Sequence, residues 1–216
     1  NTAAATTLAY GGVIAGASTL TKSTGTGTLI LGGANTYTGA TAVSAGVLNI
    51  QSNTALGTTA GGVTVASGAA LELQGGLAIG AEALSLTGGG IAANGALRSI
   101  SGANSYAGAI TLGAGGARIN SDTTATALTL TGGIVGTGNA LTVGGAGDTT
   151  ISTAGINTAA AGTLIKDGTG TLTINVTGNY TGATTSTAGT AGIAHATALG
   201  TATGGGVTVA NNAALE

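Results

Sequence analysis

The side chains able to do chemistry are few. The chain has 216 residues, of which 5% are charged, and it contains one histidine and no cysteine. His195 has neither a cysteine nor a neighbouring carboxylate to complete a metal or catalytic cluster, so it reads as a surface or turn residue. The acids Glu72, Glu82, Asp122, Asp148, Asp167 and Glu216 are scattered along the sequence, as are the cations Lys22, Arg98, Arg118 and Lys166. Hydrolysis of a polysaccharide in a surface groove needs convergent carboxylates. These acids read as isolated, and the expectation is a non-enzymatic protein with no catalytic residue, no metal and no cofactor.

Three patterns come close to a site. Gly144-Gly-Ala-Gly-Asp148 nearly matches the calcium-binding nonapeptide Gly-Gly-x-Gly-x-Asp, but its aspartate comes one residue early and no second copy follows. It reads as a turn, as do Asn120-Ser-Asp122 and Asp167-Gly168, which carry Asx-type turn chemistry. Thr24, Thr26 and Thr28, and again Thr169, Thr171 and Thr173, form Thr-x-Thr arrays. Such arrays would suit a flat ice-binding face, although threonine is also an ordinary outward strand residue. Tyr37, Tyr106 and Tyr180 each follow an asparagine and precede x-Gly. They would form either a surface stripe contacting glycan or turn anchors, with the asparagine bonding the corner backbone and the ring covering it. Asn175-Val-Thr177 and Asn179-Tyr-Thr181 also fit the glycosylation sequon.

The elements that must carry these residues are short. Apolar residues two apart recur as Leu29/Leu31, Leu48/Ile50, Val63/Val65, Leu71/Leu73, Leu84/Leu86, Ile110/Leu112, Leu128/Leu130, Leu141/Val143, Leu172/Ile174 and Val207/Val209. This is the alternation of half-buried strands. Between the clusters lie glycine turns such as Gly32-Gly33, Gly61-Gly62, Gly88-Gly89-Gly90 and Gly204-Gly205-Gly206. Glycine numbers 44, so long helices are disfavoured.

The clusters repeat. Tyr180 follows Tyr37 by 143 residues, Val207-Thr-Val209 follows Val63-Thr-Val65 by 144, and Ala214-Leu215-Glu216 repeats Ala70-Leu71-Glu72. Tyr106 falls near the midpoint. The chain therefore reads as a single continuous array over 1–216, with half-repeats at roughly 1–72, 73–144 and 145–216. Strands this short bury enough apolar surface only by stacking coil on coil. The predicted fold is all-β, a right-handed parallel β-helix (β-solenoid) with short coils. At about 20 residues per coil it would have about 11 coils and a length of about 50 Å. The alternative is a β-sandwich, against which stands the aromatic content of 2%.

Composition also bears on partners. Four scattered cations and a net charge of −2 do not make a nucleic-acid surface. No long apolar run makes a membrane helix. No leader peptide is evident, and the chain starts with Asn1, which suggests a processed product or an excised piece. The absence of cysteine is compatible with export.

The run from Lys22 through Gly25-Thr-Gly-Thr-Leu-Ile-Leu31, Asn35-Thr-Tyr-Thr-Gly39 and Ala45-Gly-Val-Leu48 resembles the autotransporter-associated β-strand repeat, also called the passenger-associated transport repeat. Lys166-Asp-Gly-Thr-Gly-Thr-Leu-Thr-Ile174 with Asn179-Tyr-Thr-Gly-Ala-Thr-Thr185 resembles it again, with one residue fewer before the tyrosine and Ala191-Gly192 in place of Leu48-Asn49. The resemblance implies a right-handed parallel β-helix, secreted or displayed on a bacterial surface, with no catalytic residues. The expected function is a structural stalk, fibre or filament segment. An adhesin passenger that binds surfaces is the alternative, and a Thr-array ice-binding protein is the second. The expected partner is another coil, in a longer chain or end to end between subunits, with a glycan or surface ligand as a further possibility.

Overall fold

A computed structural model describes residues 6–124, 126–201 and 205–216. Asn1, with which the sequence starts, and Gly204, placed above in a glycine turn, lie outside the described residues. Every strand pair is parallel, and the strands stack into a β-solenoid of about nine turns. The β-sandwich alternative is thereby excluded, because sandwiches are built from antiparallel sheets.

The coil has three sides. The first carries Leu20–Lys22, Thr41–Val43, Val63–Val65, Leu84–Gly88, the start of Ile110–Ser121, Ile134–Val135, Ile156–Ala159 and Gly178–Tyr180. The second runs from Thr7–Tyr10 through Thr28–Leu31, Gly46–Ile50, Ala69–Gln74 and Leu97–Ser101. It continues through the end of Ile110–Ser121 to Leu141–Gly144, Leu164–Lys166, Thr184–Ser186 and Val207–Val209. The third becomes regular at Ala78–Ile79 and continues through Asn104–Tyr106, Leu128–Leu130, Thr149–Ile151, Thr171–Ile174, Gly189–Ile193 and Ala213–Leu215. Ile110–Ser121 bends round a corner and joins the first two sides.

Period-2 alternation sends one set of side chains inward on each side. On the second side a column runs Leu8, Leu29, Leu48, Leu71, Leu97, Ile119, Val143, and then Lys166, Ser186 and Val209. On the third side Ile79, Tyr106, Leu130, Ile151, Ile174 and Ile193 are in register. Apart from Leu8, Lys166, Ser186 and Val209, these columns belong to one apolar core. The interior is narrow, and branched aliphatic residues fill it almost without aromatic ones.

Counted between register partners on the second side, coils range from 19 residues (Thr28 to Val47) to 26 (Leu71 to Leu97). The expected 20-residue coil is too short, and 11 coils become about nine, roughly 43 Å at about 4.8 Å per layer. The longest coil carries the extra loop Gly88–Gly95, which holds a short 3-10 turn over Ile91–Ala93.

Coil length also fixes the phase of the repeat. The strand Leu20–Lys22 lies on the first side, and six turns later that side is occupied by Ile156–Ala159. Leu164–Lys166, which repeats Leu20–Lys22 in sequence, lies one side further on. The long repeat thus spans six and a third turns, and its second copy is rotated by one side relative to the first.

Candidate functional site

Three polar arrangements stand out, and the first is a buried lysine at a corner. Lys22 and Lys166 end inward-facing strand positions and are 4% and 3% exposed. The Nζ of Lys22 donates to the carbonyls of Thr24 (2.8 Å), Gly25 (3.1 Å) and Ala45 (3.1 Å). Lys166 repeats this with Asp167 (2.7 Å), Gly168 (2.9 Å) and Ala188 (3.1 Å). Each ammonium uses all three donors on backbone, two in its own turn and one in the following coil. Facing the ammonium is a glycine in the left-handed region, Gly46 (φ 69°) or Gly189 (φ 66°). A methyl on either would lie 2.7 or 2.9 Å from the Nζ. Burial pulls the Lys166 ammonium below the usual lysine range, partly opposed by the neighbouring Asp167 charge.

The second arrangement is the tyrosine set. Tyr37, Tyr106 and Tyr180 are all buried, at no more than 1% exposure, so the surface-stripe expectation is corrected. They also do not share a side: Tyr106 lies on the third and Tyr180 on the first. Tyr37 shares a hydrogen bond with Thr41 (2.5 Å) and Tyr180 one with Thr184 (2.8 Å), each four residues on. At the corresponding place after Tyr106 stands Ile110, and the Tyr106 hydroxyl is buried without a partner. Burial raises all three phenols above the usual tyrosine range.

The asparagine of the motif is itself built in. Asn35 accepts from the Ile14 amide (2.8 Å) and donates to the Ala55 carbonyl (2.6 Å), linking the coils before and after its own. Asn104 accepts from the Gly76 and Leu77 amides and donates to Leu73, Ser99 and Ser101. Asn179, one residue closer to its tyrosine, falls on the other side of the pleat and is exposed.

The third arrangement was not expected. The supposedly isolated charges converge on the outward surface of the second side. Asn49, Glu72, Arg98, Asn120 and Gly144 are register partners in successive layers. Arg98 pairs with Glu72 (3.0 Å) and with Asp122 (2.6 Å). Arg118 grips Asp167 with both terminal nitrogens (2.5 and 2.7 Å) and also donates to Asn120 (3.1 Å). Asn49 donates to Glu72, and Gln51 bonds Asn49 and Gln74. Asn120-Ser-Asp122 and Asp167 thus belong to a charge ladder along the rod and not to simple Asx turns. Arg118 reaches Asp167 past Gly144, where a methyl would overlap both partners. The glycine of the near-calcium motif is therefore a strand residue that leaves room for an ion pair. Asp148 instead accepts from the Thr171 amide (2.8 Å).

The remaining candidates stay apart. His195 is exposed, and its Nδ1 lies 3.2 Å from the amide of Thr197. Thr26 and Thr169 sit at corners, whereas Thr171 and Thr173 lie on the third side. Outward threonines occur on all three sides, as at Thr21, Thr142 and Thr150. Among the described residues no group of three His, Asp or Glu side chains is placed to hold a metal. No helix among them is long and apolar enough to cross a membrane.

The fold defines an all-β solenoid of parallel coils, and its lysine corners coincide with the family match. Residues 20–50 and 164–190 match the passenger-associated transport repeat, so two stretches of the chain are similar to that repeat. Over 119 residues, 51% of its length, the chain is 42% identical to an adhesin BmaC autotransporter of Brucella suis biovar 1 (strain 1330). The match covers 3% of that relative. No solved structure matches the chain.

Proposed function

We propose that the chain is a segment of a secreted or cell-surface bacterial passenger whose role is structural: a stiff β-helical spacer that stacks coil on coil. The observation that carries this reading is the parallel register, which runs from Thr7 to Val209 on one side of the coil. The polar side chains support it too. Lysine corners, asparagine bridges and the charge ladder all bond one coil to the next and so turn inward or along the rod. Leu8, Tyr10, Val207 and Val209 are exposed apolar residues on strands of this parallel sheet, and an open strand edge can pair with another coil.

The test presents the isolated chain to glycan arrays and matrix-coated surfaces, with sedimentation in parallel. The structural reading expects no saturable binding, together with association that grows with concentration. Strictly monomeric behaviour at high concentration overturns stacking between separate chains. Saturable binding to a surface ligand overturns the purely structural role and favours an adhesin, the reading that the name of the Brucella relative supports.

A further inference from the structure

Glu82 is the buried acid that none of these arrangements uses. It lies between Ala78–Ile79 and Leu84–Gly88, at the corner from the third side to the first. The neighbouring layers have glycine there. A methyl on Gly61 would overlap the backbone of Gly39, one on Gly108 that of Glu82, and one on Gly132 that of Gly108. Glu82 therefore places a carboxylate in a column of glycines. It is 3% exposed, and its Oε1 is buried without a hydrogen-bond partner. The Gly62 backbone N–H, in the preceding turn, favours the ionised carboxylate and works against the effect of burial. Tyr37 and Tyr106 are the titratable groups that feel its charge, and neither is a cation. The Tyr37 hydroxyl is engaged with Thr41, and the Tyr106 hydroxyl is unpartnered.

A buried carboxylate with no cation beside it and one oxygen unbonded is costly, and such groups respond by taking up a proton. We propose that Glu82 is a proton-binding site that makes this corner of the rod firmer in acid than at neutral pH. Protonation removes the buried charge at a site where Oε1 has no donor to offset it. Burial raises the Glu82 carboxyl above the usual range, against the pull of the Gly62 N–H. A raised acid binds its proton more tightly in the folded chain than in the unfolded one. Stability from this site is therefore complete below the ordinary glutamate range, falls as pH rises towards the raised folded value, and levels off above it. Tyr37 and Tyr106 do not titrate in that window, because both are raised above the usual tyrosine range.

Amide hydrogen exchange on this chain, corrected for the intrinsic rate, tests the proposal. Between about pH 5 and about pH 8, protection at Leu84 and Ile110 is expected to fall by up to about tenfold per pH unit within the titration window. Protection at Ile156, whose amide bonds the Thr177 carbonyl, should stay level. In Glu82→Gln, and in Glu82→Gly, which restores the glycine column, the corner should lose its pH dependence. Equal pH dependence in wild type and Glu82→Gln overturns the proposal, as does protection that rises with pH. Should neither variant fold, carboxyl NMR of the unaltered chain decides: a Glu82 midpoint at or below about 4.3 overturns it.

Discussion

The two repeat-matching stretches and the coils between them hold register in opposite ways. At Lys22 and Lys166 one buried ammonium gathers three carbonyls from two coils, inside the rod. From Asn49 to Asp167 the link is outside, through a ladder of amides and ion pairs. The inner device is compact: a lysine, a glycine turn within three residues, and a second glycine one coil on. The outer device depends on side chains 26 and 49 residues apart, as with Arg98–Glu72 and Arg118–Asp167. A compact device can be copied as a unit, and it stays intact when the second copy is rotated by one side. A ladder works only where several consecutive coils present suitable residues on the same side.

The largest expected effect comes from breaking the inner device. Lys166→Met keeps the aliphatic stem but leaves the Asp167, Gly168 and Ala188 carbonyls without their donor. Hydrogen bonds to a charged group are worth about 1.5–3 kcal/mol each, and the depressed lysine offsets part of that sum, so a loss of about 3 kcal/mol is expected. Equilibrium urea unfolding measures it. Lys166→Arg should not rescue, because a planar guanidinium cannot aim three donors at carbonyls arranged around an ammonium. If Lys166→Met unfolds at the wild-type urea concentration, the lysine corner does not hold the coils.

Gly189→Ala probes the same corner from the other side. Its φ of 66° disfavours a side chain, and the methyl would press on the Gly168 and Gly170 carbonyls and the Lys166 ammonium. The two costs together suggest a loss of about 2 kcal/mol. The same substitution at Gly192, where a methyl meets nothing closer than 3.7 Å, should be nearly silent.

The ladder is half exposed and is worth less. Gly144→Ala fills the gap through which Arg118 reaches Asp167. The pair's side chains are 18% and 31% exposed, so solvent screens them, and the expected cost is about 1 kcal/mol. Its signature is the salt response: wild type should lose stability as salt is raised, and Gly144→Ala should lose less. An unchanged salt response in the variant would mean that the pair contributes nothing to stability.

This contrast also explains what was legible in the sequence. Leu29/Leu31 and Leu48/Ile50 announce strands because period-2 spacing is local, and Tyr37 and Tyr180 announce a repeat because their surroundings are copied. The lysine was visible as a repeated residue, although nothing nearby told that it turns inward, since its acceptors are backbone carbonyls. The ladder was hidden because Glu72, Arg98 and Asp122 become neighbours only at coil lengths of 22–26 residues, and an even 20-residue coil sets them out of line. Glu82 read as one more isolated acid, because the glycine column it interrupts recurs at unequal intervals. The tyrosines read first as turn anchors and second as a surface stripe, and only the packing put them inside.

The smallest expected effect separates the tyrosines. Tyr37→Phe and Tyr180→Phe each leave a buried threonine hydroxyl without its partner, Thr41 or Thr184, and should cost about 1 kcal/mol. Tyr106→Phe removes a hydroxyl that is buried and already unpartnered, so it should be neutral or slightly stabilising at neutral pH. The ring is retained in all three, so the difference reports on the hydroxyl alone. The double variant Tyr106→Phe, Ile110→Thr sharpens the comparison against Ile110→Thr with Tyr106 intact. The Ile110→Thr change recreates the pairing of the other two sites, so the tyrosine hydroxyl should help only in its presence. Urea midpoints of the four chains give the coupling, expected at about 1 kcal/mol in favour of the pair. A coupling near zero would mean that the hydroxyl pair seen at Tyr37 and Tyr180 adds nothing to the corner, and that the buried ring alone holds it.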